Sequence, residues 1–155
     1  MTRDEKLVWI FLLTSPLTEP IGVVRVSPGG LAVEVARDMP DEVARAALRR
    51  LEELGLCTVS PHGPLVVIHR MHLYQPPANP SVVKGWARIV RQIPPCEVLD
   101  RHLEDLYCYV STLGKAYAQA ALAWRPTESA QSPPRETQHA TNTHHHHKQP
   151  PHPQS

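Results

Sequence analysis

The sequence predicts a mainly α-helical protein with a small β-hairpin, further helices after the hairpin, and a polar tail. Three observations lead there. Apolar residues at helical spacing alternate with short β-branched runs through the first half of the chain. Glycine and proline clusters fall where those runs change character. At Arg125 the composition changes abruptly to Pro, Gln, Thr, Ser and His, and apolar residues almost vanish.

Taken in order, residues 4–14 read as a first helix. Asp4 and Glu5 favour its N-terminal dipole, and Leu7, Ile10, Phe11 and Leu13 mark its apolar face. Pro16 and Pro20 end it, and the β-branched run 21–26 reads as a strand. After the Ser27-Pro28-Gly29-Gly30 turn, residues 31–37 form a short helix, closed by Asp38-Met39-Pro40. The next helix spans 40–54, with Pro40 in its first turn, Val43, Ala47, Leu51 and Leu54 as its core face, and Gly55 as its C-terminal glycine. Residues 56–60 and 65–69 are the strands of a hairpin turning at Pro61-His62-Gly63-Pro64. An extended connector, 71–78, leads to a helix over 80–92, capped by Asn79 with Pro80 at its first position. Pro94 and Pro95 break the chain before one last long helix over 96–124.

Helix, strand, helix, tight turn, helix and hairpin make the order of a winged helix-turn-helix. The expected organisation is therefore a winged helix-turn-helix domain over 1–78, a helical extension over 79–124, and a disordered low-complexity tail over 125–155. The tail carries His139, a run at His144, His145, His146 and His147, and His152; without a second shell such a tract reads as low complexity, not as a resident metal site.

Several classes are excluded by what the chain lacks. The formal charge of +1 says nothing about partners, but residues 71–95 hold Lys84, Arg88 and Arg91 with no acid. Cys57, Cys96 and Cys108 are odd in number and widely spaced, which fits a reducing, cytoplasmic setting better than a disulfide framework or zinc site. Cys57, in an apolar strand, is expected to be buried and inert. The apolar run 7–13 is too short to span a bilayer and lacks the flanks of a signal peptide, so no membrane association is expected. There is no Gly-rich phosphate loop, no H-E-x-x-H and no G-x-S-x-G, so neither catalytic residues nor a cofactor are expected.

An ordered set of short stretches resembles a known family. These are KLVWIFLLTSP at 6–16, Gly22-Val23-Val24 leading into Leu31-Ala32, and Pro40-Asp41-Glu42-Val43 through Leu48, Leu51 and Glu53-Leu54-Gly55-Leu56. YQPPANP at 74–80 and IPP at 93–95 complete the set. Across roughly residues 6–100 the chain resembles the winged-helix domain of bacteriophage and prophage replication initiation proteins, the replisome-organiser and DnaD-like initiators. The resemblance implies double-stranded DNA binding in replication initiation, with a replication helicase or its loader as a protein partner. A transcriptional regulator of the same fold and a winged-helix interaction adaptor are the alternatives.

The second helix of the motif is the candidate recognition helix, and Arg45 and Arg49 point away from its core face. Glu42, Glu52 and Glu53 stand close enough in sequence to pair with them instead. Arg70 at the hairpin base is a phosphate candidate. In the helix over 80–92, Lys84, Arg88 and Arg91 form a stripe opposite Val82, Trp86, Ile89 and Ile93, suited to a phosphate backbone. In the last helix, Leu99, Leu103, Leu106, Val110, Leu113, Tyr117, Ala120 and Trp124 follow 4, 3, 4, 3 spacing. That heptad seam predicts a coiled-coil homodimer, loosened around Gly114; folding back onto the domain is the alternative use of the same seam.

Overall fold

The computed structural model describes residues 1–127. It is mainly helical, with seven helices and a four-stranded antiparallel sheet among the described residues. The element order is α1 (Arg3–Thr14), β1 (Thr18–Glu19), β2 (Val23–Val24), α2 (Pro28–Val35), α3 (Asp41–Glu53), β3 (Cys57–Val59), β4 (Val66–Ile68), α4 (Met71–Tyr74), α5 (Pro80–Arg91), α6 (Glu97–Thr112) and α7 (Lys115–Ala121). The strands lie in the order β1-β2-β4-β3, so the hairpin β3–β4 joins β2 through its second strand.

Alternation along these strands gives the sheet two buried faces. Val24, Val66 and Ile68 join a first core with Val8 and Leu12 of α1, Leu31 of α2, and Ala44, Leu48 and Leu51 of α3. Val23, Leu65 and Val67 point the other way, into a second core with Val83 and Trp86 of α5, Leu99, Leu103, Leu106 and Val110 of α6, and Ala121 and Trp124. The helices after residue 79 therefore share a core with the sheet.

Local chemistry explains most boundaries. Thr2 and Glu5 form a reciprocal capping box at the start of α1. Ser27 caps α2, so the expected turn cluster at 27–30 supplies the cap and first turn of that helix. At the end of α3 the N–H of Leu56 donates to the Leu51 carbonyl and that of Gly55 to the Glu52 carbonyl, with Gly55 at φ 70°: a Schellman ending. Asn79 caps α5 by accepting from the Val82 N–H at 3.1 Å.

Four expectations are corrected, the first being the connector: residues 71–74, expected to be extended, form the one-turn helix α4. The core face of α3 is Ala44, Ala47, Leu48 and Leu51, and Leu54, the C-cap residue, is exposed. In α1 the buried residues are Val8 and Leu12, while Leu7 and Ile10 face solvent. In α5 the buried positions are Val83, Trp86 and Ala87, with Val82 exposed. In all three helices the buried arc is turned from the expected one, and the neighbours that cover it are chiefly other helices: α1 and α2 against α3, and α7 against α5.

The last helix and its seam are the largest correction. Gly114 adopts φ 138°, a conformation closed to ordinary side chains, and breaks the helix into α6 and α7. α7 turns back against both α5 and α6. Of the expected dimer seam, Leu99, Leu103, Leu106 and Val110 are buried in the chain's own second core, Tyr117 packs partly against it, and Leu113 is exposed. The seam is therefore internal, and a dimer through it would have to empty the core. Trp124 is locked in the same way, its indole N–H donating to the Val83 carbonyl at 2.7 Å.

The expected tail begins a little later than Arg125. That guanidinium pairs with both carboxylate oxygens of Glu104, at 2.8 and 3.3 Å, and lies 4.0 Å from the Tyr107 ring centre. Residues 128–155 of the expected tail, with its histidine run, lie outside the described residues.

Candidate nucleic-acid interface

α3 packs on α1, α2 and β3, which fixes the direction of its free face. Arg45 and Arg49 lie on that face and are exposed. Two of the glutamates able to neutralise them are occupied elsewhere. Glu52 reaches the hairpin, where its carboxylate accepts from the Val59 N–H at 2.6 Å. Glu53 pairs with Arg50 at 2.9 Å. Among the described residues, neither Arg45 nor Arg49 enters an ion pair. The third, Glu42, stays exposed in the first turn.

Lys84, Arg88 and Arg91 are all exposed on α5, and none is in an ion pair among the described residues. α5 belongs to the second core and α3 to the first, so the two cationic groups sit in different layers. Arg70 is exposed at the junction of β4 and α4, where φ of 59° places a non-glycine residue in the left-handed region. The hairpin tip carries His62 and Gly63, both exposed.

A second polar group escaped the sequence reading because its members are far apart in the chain. Thr58, Val67, His69, Val98, Arg101, His102 and Asp105 line a cleft of about 70 Å3 between the hairpin and α6. His69 bridges the Thr58 hydroxyl at 2.7 Å and the Gly55 carbonyl at 2.8 Å. The second contact requires Nδ1–H to donate, which leaves Nε2 to accept from the hydroxyl. His102 is buried and its Nε2–H donates to the Ile21 carbonyl at 2.6 Å, tying α6 to the turn between β1 and β2. Burial pushes its pKa below the ordinary histidine value, with His69 adding to that, while the Ile21 bond and Asp105 oppose it. Nearby, His72 stacks on Tyr109 with ring centres 4.2 Å apart and a buried, unpartnered Nδ1. Burial, assisted by His102, lowers its pKa as well, against the pull of Asp105.

These histidines work as struts. Among the described residues, no group of three His, Cys, Asp or Glu side chains is arranged to hold a metal ion. Cys57 is buried as expected, and its thiol is pushed up to about 12, first by burial and then by Glu52. Among the described residues no helix is long and apolar enough to cross a membrane. Comparison with protein-family models, with curated proteins and with solved structures finds no match.

Proposed function

We propose that this chain is a non-enzymatic, double-stranded DNA-binding protein whose first layer is a winged helix, with α3 as the recognition helix and β3–β4 as the wing. The observation that carries the reading is the free face of α3: Arg45 and Arg49 are exposed and unpaired among the described residues, while Glu52 and Glu53 are held by Val59 and Arg50. A helix in the major groove needs such side chains, since arginine reads guanine edges or clamps phosphate. The hairpin supports it further, because β3 is fixed to α3 by the Glu52 carboxylate. Lys84, Arg88 and Arg91 supply additional phosphate contacts from the second layer. The resemblance to phage initiators supports replication initiation as the setting and a helicase or its loader as a further partner.

Binding of labelled duplex DNA across a salt series tests this. At ~50 mM salt the protein should bind, and log affinity should fall linearly with log salt. Arg45→Glu with Arg49→Glu should cost roughly tenfold or more, concentrated on the preferred sequence. Lys84→Ala with Arg88→Ala should weaken all duplexes alike and flatten the salt slope by about one per lost contact. A wild-type protein indifferent to duplex DNA at low salt would refute the reading and favour the interaction adaptor.

A further inference from the structure

Val24, Val66 and Ile68 on one face of the sheet pack into the core that holds Ala44, Ala47, Leu48 and Leu51 of α3. Val23, Leu65 and Val67 on the other face pack into the core that holds Val83, Trp86 and Ala87 of α5. Each of these helices is buried along one arc, so its exposed arc faces away from its core. Arg45 and Arg49 lie on the exposed arc of α3, and Lys84, Arg88 and Arg91 on that of α5. The sheet therefore stands between the two cationic faces, which two helices and a sheet hold on the order of 30 Å apart. DNA is stiff over roughly 500 Å, and five cations do not offset the cost of wrapping it round so thin a body. One duplex does not reach both faces.

The α5 face has the makings of a duplex site of its own. Lys84, Arg88 and Arg91 span about 10 Å along the helix, the run of about three phosphates on one strand. None of them enters an ion pair among the described residues, and α7, the helix that α5 packs against, carries Lys115 and no Asp or Glu. Gly85 flanks the row, exposed, with open space where a Cβ would stand. It weakens the helix and fills no packing need, and it leaves the backbone bare for close approach. Ser81 and Gln92 complete the flank, both exposed. This arc offers no aromatic ring on which an unpaired base could stack and no apolar residue to enter a bilayer; it suits the phosphate backbone of a duplex.

We infer that the α5 face binds a second duplex segment, so that one copy of the chain bridges two stretches of DNA, one on α3 and one on α5. The inference rests on α3 as the first duplex site and gives the α5 cations a partner of their own. Such a bridge closes one DNA molecule into a loop or holds two molecules side by side.

The test is capture between two duplexes of about 20 base pairs at ~50 mM salt, where phosphate contacts are strong. One duplex is fixed to beads; the other is labelled and free. Wild type should bind the beads and retain the labelled duplex, and raised salt should release it. Two variants are compared: Lys84→Ala with Arg88→Ala and Arg91→Ala on α5, and Arg45→Glu with Arg49→Glu on α3. Each should still bind the beads through the face left intact, while retaining roughly tenfold less labelled duplex. Both should melt with wild type, because all five side chains are exposed. An equal mixture of the two should retain no more than either alone, since neither chain carries both faces. A mixture that restores capture overturns the inference, because assembled copies then make the bridge. An α5 variant that captures as wild type does also overturns it, and if that variant has lost binding to polyglutamate the row belongs to an acidic protein. A wild type that binds the beads but retains no labelled duplex defeats the inference and leaves the α3 reading standing, whereas one that ignores duplex DNA altogether defeats both.

Discussion

Replacing Leu106 by alanine separates the two uses of the leucine seam. Leu106 is 1% exposed, inside the core that α6 shares with Val67 of the sheet. Leu113, seven residues on in the same heptad register, is 40% exposed. A buried Leu→Ala change loses the transfer energy of the removed methyl groups and leaves a cavity, together about 2–5 kcal/mol. A domain of this size has only ~5–15 kcal/mol in hand, so the melting temperature should fall by roughly 6–20 °C. Leu113→Ala removes side-chain atoms already in contact with water and should cost less than about 1 kcal/mol. Circular-dichroism melts at several protein concentrations, paired with light scattering, read both quantities. The internal seam requires a large loss for Leu106→Ala, a small one for Leu113→Ala, and melting temperatures independent of concentration. Equal losses at the two positions, with melting that rises with concentration, would refute it and restore the coiled coil. Leu103→Asp with Leu106→Asp sharpens the contrast, since it should unfold the chain outright; a folded, monomeric double mutant from a dimeric parent would show that the seam never belonged to the core.

His72 and His102 have pKa values below the ordinary histidine range, so the folded state keeps them neutral while the unfolded chain takes up protons near pH 6.5. Their contribution is fully present above that pH and is lost as pH falls below it; the melting temperature should drop between pH 7.5 and 5.5, and His72→Phe should flatten that slope. A melting temperature unchanged across the window would contradict it. Gly55→Ala should destabilise by about 1 kcal/mol, because φ of 70° disfavours any Cβ although open space surrounds it; no loss in chemical denaturation would mean the Schellman ending relaxes freely.

Much of the element order was legible where its signals are local. Gly55 after an apolar-periodic stretch, the turn at 61–64, and Asn79-Pro80 each act within a few residues, and each element lies where those residues put it. The two-residue strand β1 carries no such signal and was missed. The leucine seam shows a different limit. Its 4, 3 spacing records that one side of the helix is buried, and says nothing of whether the burying surface is a second copy or the chain's own sheet. Gly114 was the clue to the answer: its cost to an unbroken helix was plain, and the structure spends it on a turn that lets α7 close over α5. The histidine group was illegible for the simplest reason. His69 and His102 become neighbours only once α6 lies across the hairpin, and no spacing in the sequence announces that.

The bond from Glu52 to Val59 has a consequence beyond joining α3 to the wing. β3 is an edge of the sheet, and its register with β4 turns the Val59 N–H away from β4, toward Glu52 of α3. An unpaired outward N–H on an edge strand invites a strand from another molecule to add itself. The carboxylate occupies that donor and sets a negative charge where an incoming strand would need a carbonyl. The Val59 end of β3 is thereby closed to an added strand, while β1 remains the other edge of the sheet.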